Sequence, residues 1–256
     1  MKVKLINRTN NALSLLLYTK NTRLQGGETF DDVQQWSHVK QMEHLAYMRD
    51  TIKSSWEFVN YTFEISGVTR AFTHQLVRTR NGRYAQESMR TVDVSGAEIK
   101  QPEDPGDPAA LKMWKKYANE TMNVYIDLLG CGMPPQDARG ILPTNVCTSI
   151  IAQFSLRTLH EMASVRLCTR TQGEYQDVFR AMKAAVVEVH PWADDFIQVA
   201  CVNTGVCVFP RYTECPIQKF TVNGDAFYPE LKNRIKKAWS EIRHEAVPVV
   251  KDGRTM

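Results

Sequence analysis

Phe63-Glu-Ile-Ser-Gly-Val-Thr-Arg70 leads through His74-Gln-Leu-Val-Arg78 into Thr79-Arg-Asn-Gly-Arg-Tyr-Ala-Gln-Glu-Ser-Met-Arg90. The approach from Glu57 to Ile65 is aromatic-rich and β-branched, which predicts a strand. Ser66 and Gly67 punctuate it. Val68 to Arg78 then predicts a helix, with Ala71, Phe72, Leu76 and Val77 on one side. Asn81-Gly82 is a turn dipeptide, and it separates that helix from an extended segment running through Val94.

On the N-terminal side, Lys2 to Ile6 alternates polar and apolar and predicts a short strand. Asp31 to Arg49 carries Val33, Trp36, Val39, Met42, Leu45 and Met48 at amphipathic helical spacing. Downstream, Gln101 to Pro108 is a loop rich in proline and acid, and Asp107 or Pro108 starts a long helix to about Leu129. Pro134 and Pro135 open a short helical turn. Val146 to Phe154 suits either a strand or a buried helix, because an apolar run has no period to separate the two. Arg157 to Leu167, Gly173 to Val189 and Tyr228 to His244 predict helices. Strands mixed with long helices imply an α/β or α+β fold, a mixed sheet in a single domain over residues 1–256.

With 43% hydrophobic and 23% charged residues, the chain can bury a substantial core. The net charge of +4 is too small to predict a polyanion coat, although local clusters can still hold phosphates. Leu13 to Leu17 is far short of the roughly 20 residues that a membrane span needs. No signal peptide or anchor is read. The six cysteines (Cys131, Cys147, Cys168, Cys201, Cys207 and Cys215) form no C-x-x-C pair, so reduced thiols, no metal site and a cytoplasmic location are expected. His38, His44, His160, His190 and His244 lack mutual ligand spacing, which suits helix-surface or core roles.

Four arginines fall between Arg78 and Arg90 with a glycine turn among them. Guanidinium groups bind phosphate in a planar, bidentate way, so several around a turn make an anion cradle. Arg139, Arg157, Arg166 and Arg170 form a second basic set. Arg157 and Arg166 lie within an apolar helix pattern, where long charged residues are seldom buried unless paired. Ser88 invites a nucleophile reading, but no histidine base is local to it, so a binding role is the better reading.

These residues resemble the flavin-dependent thymidylate synthase family, whose motif is Arg-His-Arg, seven residues, Ser, and an Arg two positions later. This chain has Arg78-Thr79-Arg80, seven residues, Ser88 and Arg90. Ala138-Arg-Gly-Ile-Leu-Pro143 is similar to the family's Ala-Arg-x-x-Leu-Pro. Arg157-Thr-Leu-His-Glu-Met-Ala-Ser-Val-Arg166 is similar to its arginine-bounded helix, with Gln172 and Glu174 following. The match is best over residues 50–175, and 216–256 is an extension of unknown role. Several weak motifs in order are jointly specific.

The resemblance implies a homotetramer with shared active sites, FAD as cofactor, and NADPH and methylenetetrahydrofolate as co-substrates. It implies reductive C5 methylation of dUMP, with no membrane or nucleic acid as partner. Ser54, Arg78, Thr79, Arg80, Gln86, Ser155, Arg157, Glu161 and Arg170 map to the cofactor site. Gln75, Leu76, Val77, Arg78, Gln86, Glu87, Ser88, Met89, Arg90, Arg139 and Arg166 map to the nucleotide site. Arg166 takes the catalytic position beside the pyrimidine, and no cysteine nucleophile (Cys147 or Cys168) is required.

The chain departs from the pattern at Thr79 for the middle His and at Ile52 and Phe58 for two upstream histidines. It departs again at Arg83, Ala85 and Gln86, and at Glu161 and Arg170 for a later Asn and His. The changes spare the phosphate site and alter the flavin and folate surroundings. Three alternatives therefore stand beside C5 methylation: hydroxymethylation, or dCMP or UMP as substrate; a noncatalytic relative; and a nucleic-acid module.

Overall fold

The computed structural model describes residues 1–23, 27–51, 53–209 and 215. Ile52, the helix expected over Tyr228 to His244 and the rest of 216–256 lie outside them.

β1 (Lys2–Arg8) forms where alternation predicts it. The Leu13 to Leu17 run lies in α1 (Ala12–Arg23), where Leu16 and Leu17 are fully buried. The helix expected over Asp31 to Arg49 is two helices, α2 (Phe30–Gln34) and α3 (His38–Thr51). Thr29 and Asp32 form a capping box on α2, and Ser37 Oγ accepts from Lys40 N at 3.3 Å, so α3 has a start signal of its own. A 3-10 turn, Ser54–Phe58, precedes β2 (Asn60–Thr69), which starts later than the aromatic run suggests because Trp56 faces the core as part of the turn.

α4 (Arg70–Leu76) is shorter than predicted, because Thr69 ends the strand and caps the helix. The extended segment beyond Asn81-Gly82 is regular only at β3 (Arg83–Gln86). α5 (Pro108–Gly130) is capped by Asp107, whose Oδ1 accepts from Ala110 N at 2.7 Å. A short α6 (Pro135–Ala138) follows. The ambiguous Val146 to Phe154 run is β4 (Cys147–Ser155), with Thr148, Ile150, Ala152 and Phe154 buried in alternation. α7 (Leu156–Arg166), α8 (Gly173–Val189) and a short α9 (Ala200–Thr204) complete the order.

The sheet order is β1-β2-β4-β3. Leu156 N bonds Val59 O at one end of β2 and β4, and Arg70 N bonds Val146 O at the other, so these strands are antiparallel. The fold is mixed α+β, as the element pattern implies, but the four-stranded sheet is antiparallel and not the mixed sheet expected, because neighbouring strands pair in opposite directions. Gly67 in β2 has φ +65°, and a Cβ there would come within 3.2 Å of Met1 N, so glycine is needed on both counts.

The chain divides into two compact units, and β2 and β4 each contribute to both. One contains Met1–Lys2 and Glu64–Ala152, with Met89, Val94, Tyr125, Ala138 and Val146 as a buried cluster. The other contains Val3–Phe63 and the described residues from Gln153 on; Trp56, Phe154, Tyr175, Phe179 and Phe196 are fully buried in it. Among the described residues no helix is long and apolar enough to cross a membrane.

Candidate active site

In the first unit the cap of α4 places Arg70. Thr69 Oγ1 accepts from Phe72 N at 3.1 Å, and Arg70 N and Ala71 N donate to Val146 O and Thr144 O. The Arg70 Nη2 donates to Glu87 O at 2.8 Å. Its Nε is buried and has no hydrogen-bond partner among the described residues. Burial lowers the guanidinium below its ordinary value; Glu87 opposes this and Arg139 adds to it. Two cations near one another, one with an orphaned N–H, make a place where an incoming anion gains on both counts.

The chain around this point is held in place. Gln86 Nε2 donates to Thr73 Oγ1 at 2.8 Å, and Glu87 N donates to Ser149 O. Thr148 Oγ1 donates to Glu87 Oε2 at 3.4 Å. Ser88 Oγ accepts from Arg90 N at 3.2 Å. Arg139 is steadied by Nε donating to Gln136 O at 3.1 Å.

The Arg78–Gly82 loop is pinned by Tyr84, whose hydroxyl lies 3.0 Å from Leu76 O and 2.7 Å from Thr79 O. Arg78, Arg80 and Arg90 are exposed and have no carboxylate partner among the described residues. Gln75 lies in α4, and Val77 follows it partly exposed. The Leu76 and Met89 side chains are buried in the core, so those two positions can offer a ligand only their backbone.

In the second unit Ser155 is buried and caps α7: its Oγ accepts from Thr158 N at 3.2 Å and lies 3.0 Å from Thr158 Oγ1. Arg157 Nε is 3.0 Å from Glu161 Oε1 and 3.7 Å from Glu57 Oε1. Both contacts are solvent-exposed and weak. Ser54 is exposed on the 3-10 turn. Arg166 ends α7 with its guanidinium 4.3 Å from the Tyr175 ring centre, a cation–π contact that orients it. Gln176 Nε2 donates to Leu167 O and Cys168 O at 3.0 and 2.8 Å, which fixes the turn just after Arg166. Arg170 lies over the Phe209 ring at 4.6 Å.

The predicted residues thus sort by unit: Gln75–Arg80, Gln86–Arg90 and Arg139 in one, Ser54, Ser155, Arg157, Glu161, Arg166 and Arg170 in the other. They line neither the 620 Å³ cleft beside Trp114 nor the 530 Å³ cleft beside Trp192. Arg70 received no role from the sequence. Its signal was a cation set between a strand and the first turn of a helix, next to the apolar Val68 and Phe72. All six cysteines are free, and burial raises the Cys168 thiol, which favours the inert protonated form.

Comparison with known proteins supplies the family. The chain matches the family described as thymidylate synthase complementing protein across residues 4–192. A flavin-dependent thymidylate synthase from Thermococcus onnurineus is 28% identical, covering 94% of this chain and 97% of its own length. The protein of that name from Pyrococcus furiosus is 30% identical over 81% of this chain and 89% of its own. The one from Saccharolobus solfataricus is 33% identical over 75% and 74%. The motifs around Arg78, Arg139 and Arg166 all fall inside the matched span, and the chain belongs to the thymidylate synthase complementing protein family, that of the flavin-dependent thymidylate synthases.

Proposed function

We propose that this chain is a flavin-dependent thymidylate synthase, converting dUMP to dTMP by reductive methylation at C5 with methylenetetrahydrofolate and NADPH. The observation that carries the nucleotide reading is the orphaned Arg70 Nε beside Arg139, at the foot of the segment Gln86–Arg90. A phosphate dianion matches that pair in charge and in hydrogen-bond geometry. Arg90 and Arg139 hold the phosphate and Ser88 hydrogen-bonds it. Gln75 to Arg78 and Gln86 to Arg90 frame the nucleoside. Arg166, steadied on Tyr175, sits beside the pyrimidine and stabilises the negative charge that develops as C5 becomes nucleophilic.

Exposed Arg78 and Arg80, without a carboxylate partner among the described residues and set on a pinned loop, fit a diphosphate, the anionic part of FAD. Ser54, Thr79, Gln86, Ser155, Arg157, Glu161 and Arg170 complete that side, Ser155 by shaping the start of α7. FAD, when bound and reduced by NADPH, supplies the hydride that completes the methyl group. The assembly is a homotetramer with shared sites in the cytoplasm. The exposure of the Arg78, Arg80 and Arg90 side chains supports the sharing, because a second copy can cover them. A mononucleotide is the ligand and nucleic acid is not, in keeping with a net charge of only +4.

Mass spectrometry of the products from dUMP, dCMP and UMP, each incubated with FAD, NADPH and methylenetetrahydrofolate, tests the proposal. A mass gain matching methyl on dUMP alone is expected. A hydroxymethyl product, or turnover of dCMP or UMP in its place, would overturn it in favour of a sister activity.

A further inference from the structure

The Ser54–Phe58 turn is docked in an unusual way. Trp56 at its centre is fully buried, in edge contact with His160 at 5.1 Å and Phe196 at 4.8 Å between ring centres. Its indole Nε1 and the buried Ser55 Oγ nevertheless have no hydrogen-bond partner among the described residues. Lys53, at the head of the turn, makes no side-chain cap. Apolar contact seats the turn, but such contact is non-directional. Polar contacts at its rim add orientation: Thr9 Oγ1 and Asn60 Nδ2 donate to the Phe58 and Glu57 carbonyls at its far end, Glu57 lies 3.7 Å from Arg157, and at the Ser54 end Lys53 Nζ lies 3.4 Å from His160 Nε2.

The bonds of His160 fix its tautomer. Its Nδ1 lies 2.7 Å from Phe196 O, which can only accept, so Nδ1 carries the proton. Nε2 is then a bare lone pair and accepts from the Lys53 ammonium. We propose that His160 is a positioning residue for the flavin side of the site: as a neutral imidazole it latches the Ser54–Phe58 turn, and Ser54 with it, onto α7. The inference rests on the reading of Ser54 and Arg157 as flavin contacts.

Protonation at Nε2 removes the acceptor and sets an imidazolium against an ammonium, one residue from Ser54. The groups around His160 favour the neutral form on balance. Burial lowers its affinity for a proton most; the Phe196 carbonyl opposes this, Lys53 lowers it further, and Glu161 opposes. From the Pro191–Asp195 turn, Asp194 pairs with Lys183 at 2.9 Å and Asp195 lies 3.8 Å from Arg49. Neither adds a shift to His160.

The test is FAD affinity of the full chain at about pH 7.5 and about pH 5, the lower arm set well under the ordinary imidazole value because burial lowers His160 below it. Wild type binds FAD about tenfold more weakly at the lower pH, the scale of one charge-assisted hydrogen bond. His160→Gln, whose amide oxygen accepts from Lys53 without titrating, binds at the wild-type level of the higher pH at both. His160→Leu binds at the weak level at both. A parallel loss in wild type and His160→Gln overturns the inference. A flavin-free readout accompanies this: thermal unfolding of Lys53→Met, His160→Leu and the double variant. A favourable coupling at the higher pH that is lost or changes sign at the lower supports the latch, and additivity at both overturns it. Failure of wild type to bind FAD at either pH overturns the flavin reading itself, and the unfolding cycle still decides the latch.

Discussion

Replacing Arg70 tests the anion pole most sharply, because its geometry separates charge from hydrogen bonding. In the free protein the side chain spends Nη2 on Glu87 O at 2.8 Å, and its buried Nε, near Arg139, has no hydrogen-bond partner among the described residues. A phosphate about 5 Å away at an effective permittivity of about 20 interacts with one cation by about 3 kcal/mol per unit charge. Solvent at the partly open site screens some of this, so Arg70→Met should weaken dUMP binding by about 1.5–3 kcal/mol, roughly 10- to 150-fold. Arg70→Lys keeps the charge and loses the planar fork, so it should cost about 1 kcal/mol, roughly fivefold. Deoxyuridine, which has no phosphate, should change by less than about twofold in both variants. Isothermal titration of both ligands against both variants is the assay. Equal losses for nucleotide and nucleoside would mean that Arg70 only shapes the pocket, and unchanged dUMP affinity would mean that the phosphate lies elsewhere.

Further outcomes follow from other residues. Arg166→Lys should lower kcat by about 100-fold with little change in thermal stability, since lysine can keep a cation over the Tyr175 ring at the end of the helix; steady-state kinetics beside a melting curve checks this. Ser155→Ala removes the α7 cap and should cost about 1 kcal/mol, a fall of about 2–4 °C in Tm, with dUMP affinity unchanged by calorimetry. Burial pushes His44, His160 and His190 below their ordinary value of 6.5, so the unfolded chain takes up protons first as pH falls. Their contribution to stability is therefore complete above that value and is lost on descending through the lowered folded values. Denaturant midpoints measured against pH should fall on the acidic side, less steeply in His160→Gln.

What was legible in the sequence was local. Arg78 to Arg90 carries its turn dipeptide, its arginine spacing and its serine in one stretch, so the proposed nucleotide side could be read from the sequence. The α5 and α8 helices were legible for the same reason, one from Asp107-Pro108 and the other from its apolar period. The break between α2 and α3 was also local, but the spacing through Trp36 masked the cap at Ser37. The rest depends on partners far apart in the chain. Arg70 looks like any helix-start arginine until Arg139 and the Glu87 carbonyl are brought to it. His160 and Lys53 are 107 positions apart, and neither has a motif. The start of β2 was misplaced because Trp56 has a strand-former's side chain and a turn's backbone, and the core that holds it comes from α7 and Phe196.

The most direct test of the account is release of tritium from C5-labelled dUMP by the purified chain, with NADPH and methylenetetrahydrofolate, in the presence and absence of FAD. The account predicts release that requires FAD and is accompanied by dTMP. No release with FAD and both co-substrates present, or release that proceeds equally without flavin, would contradict it.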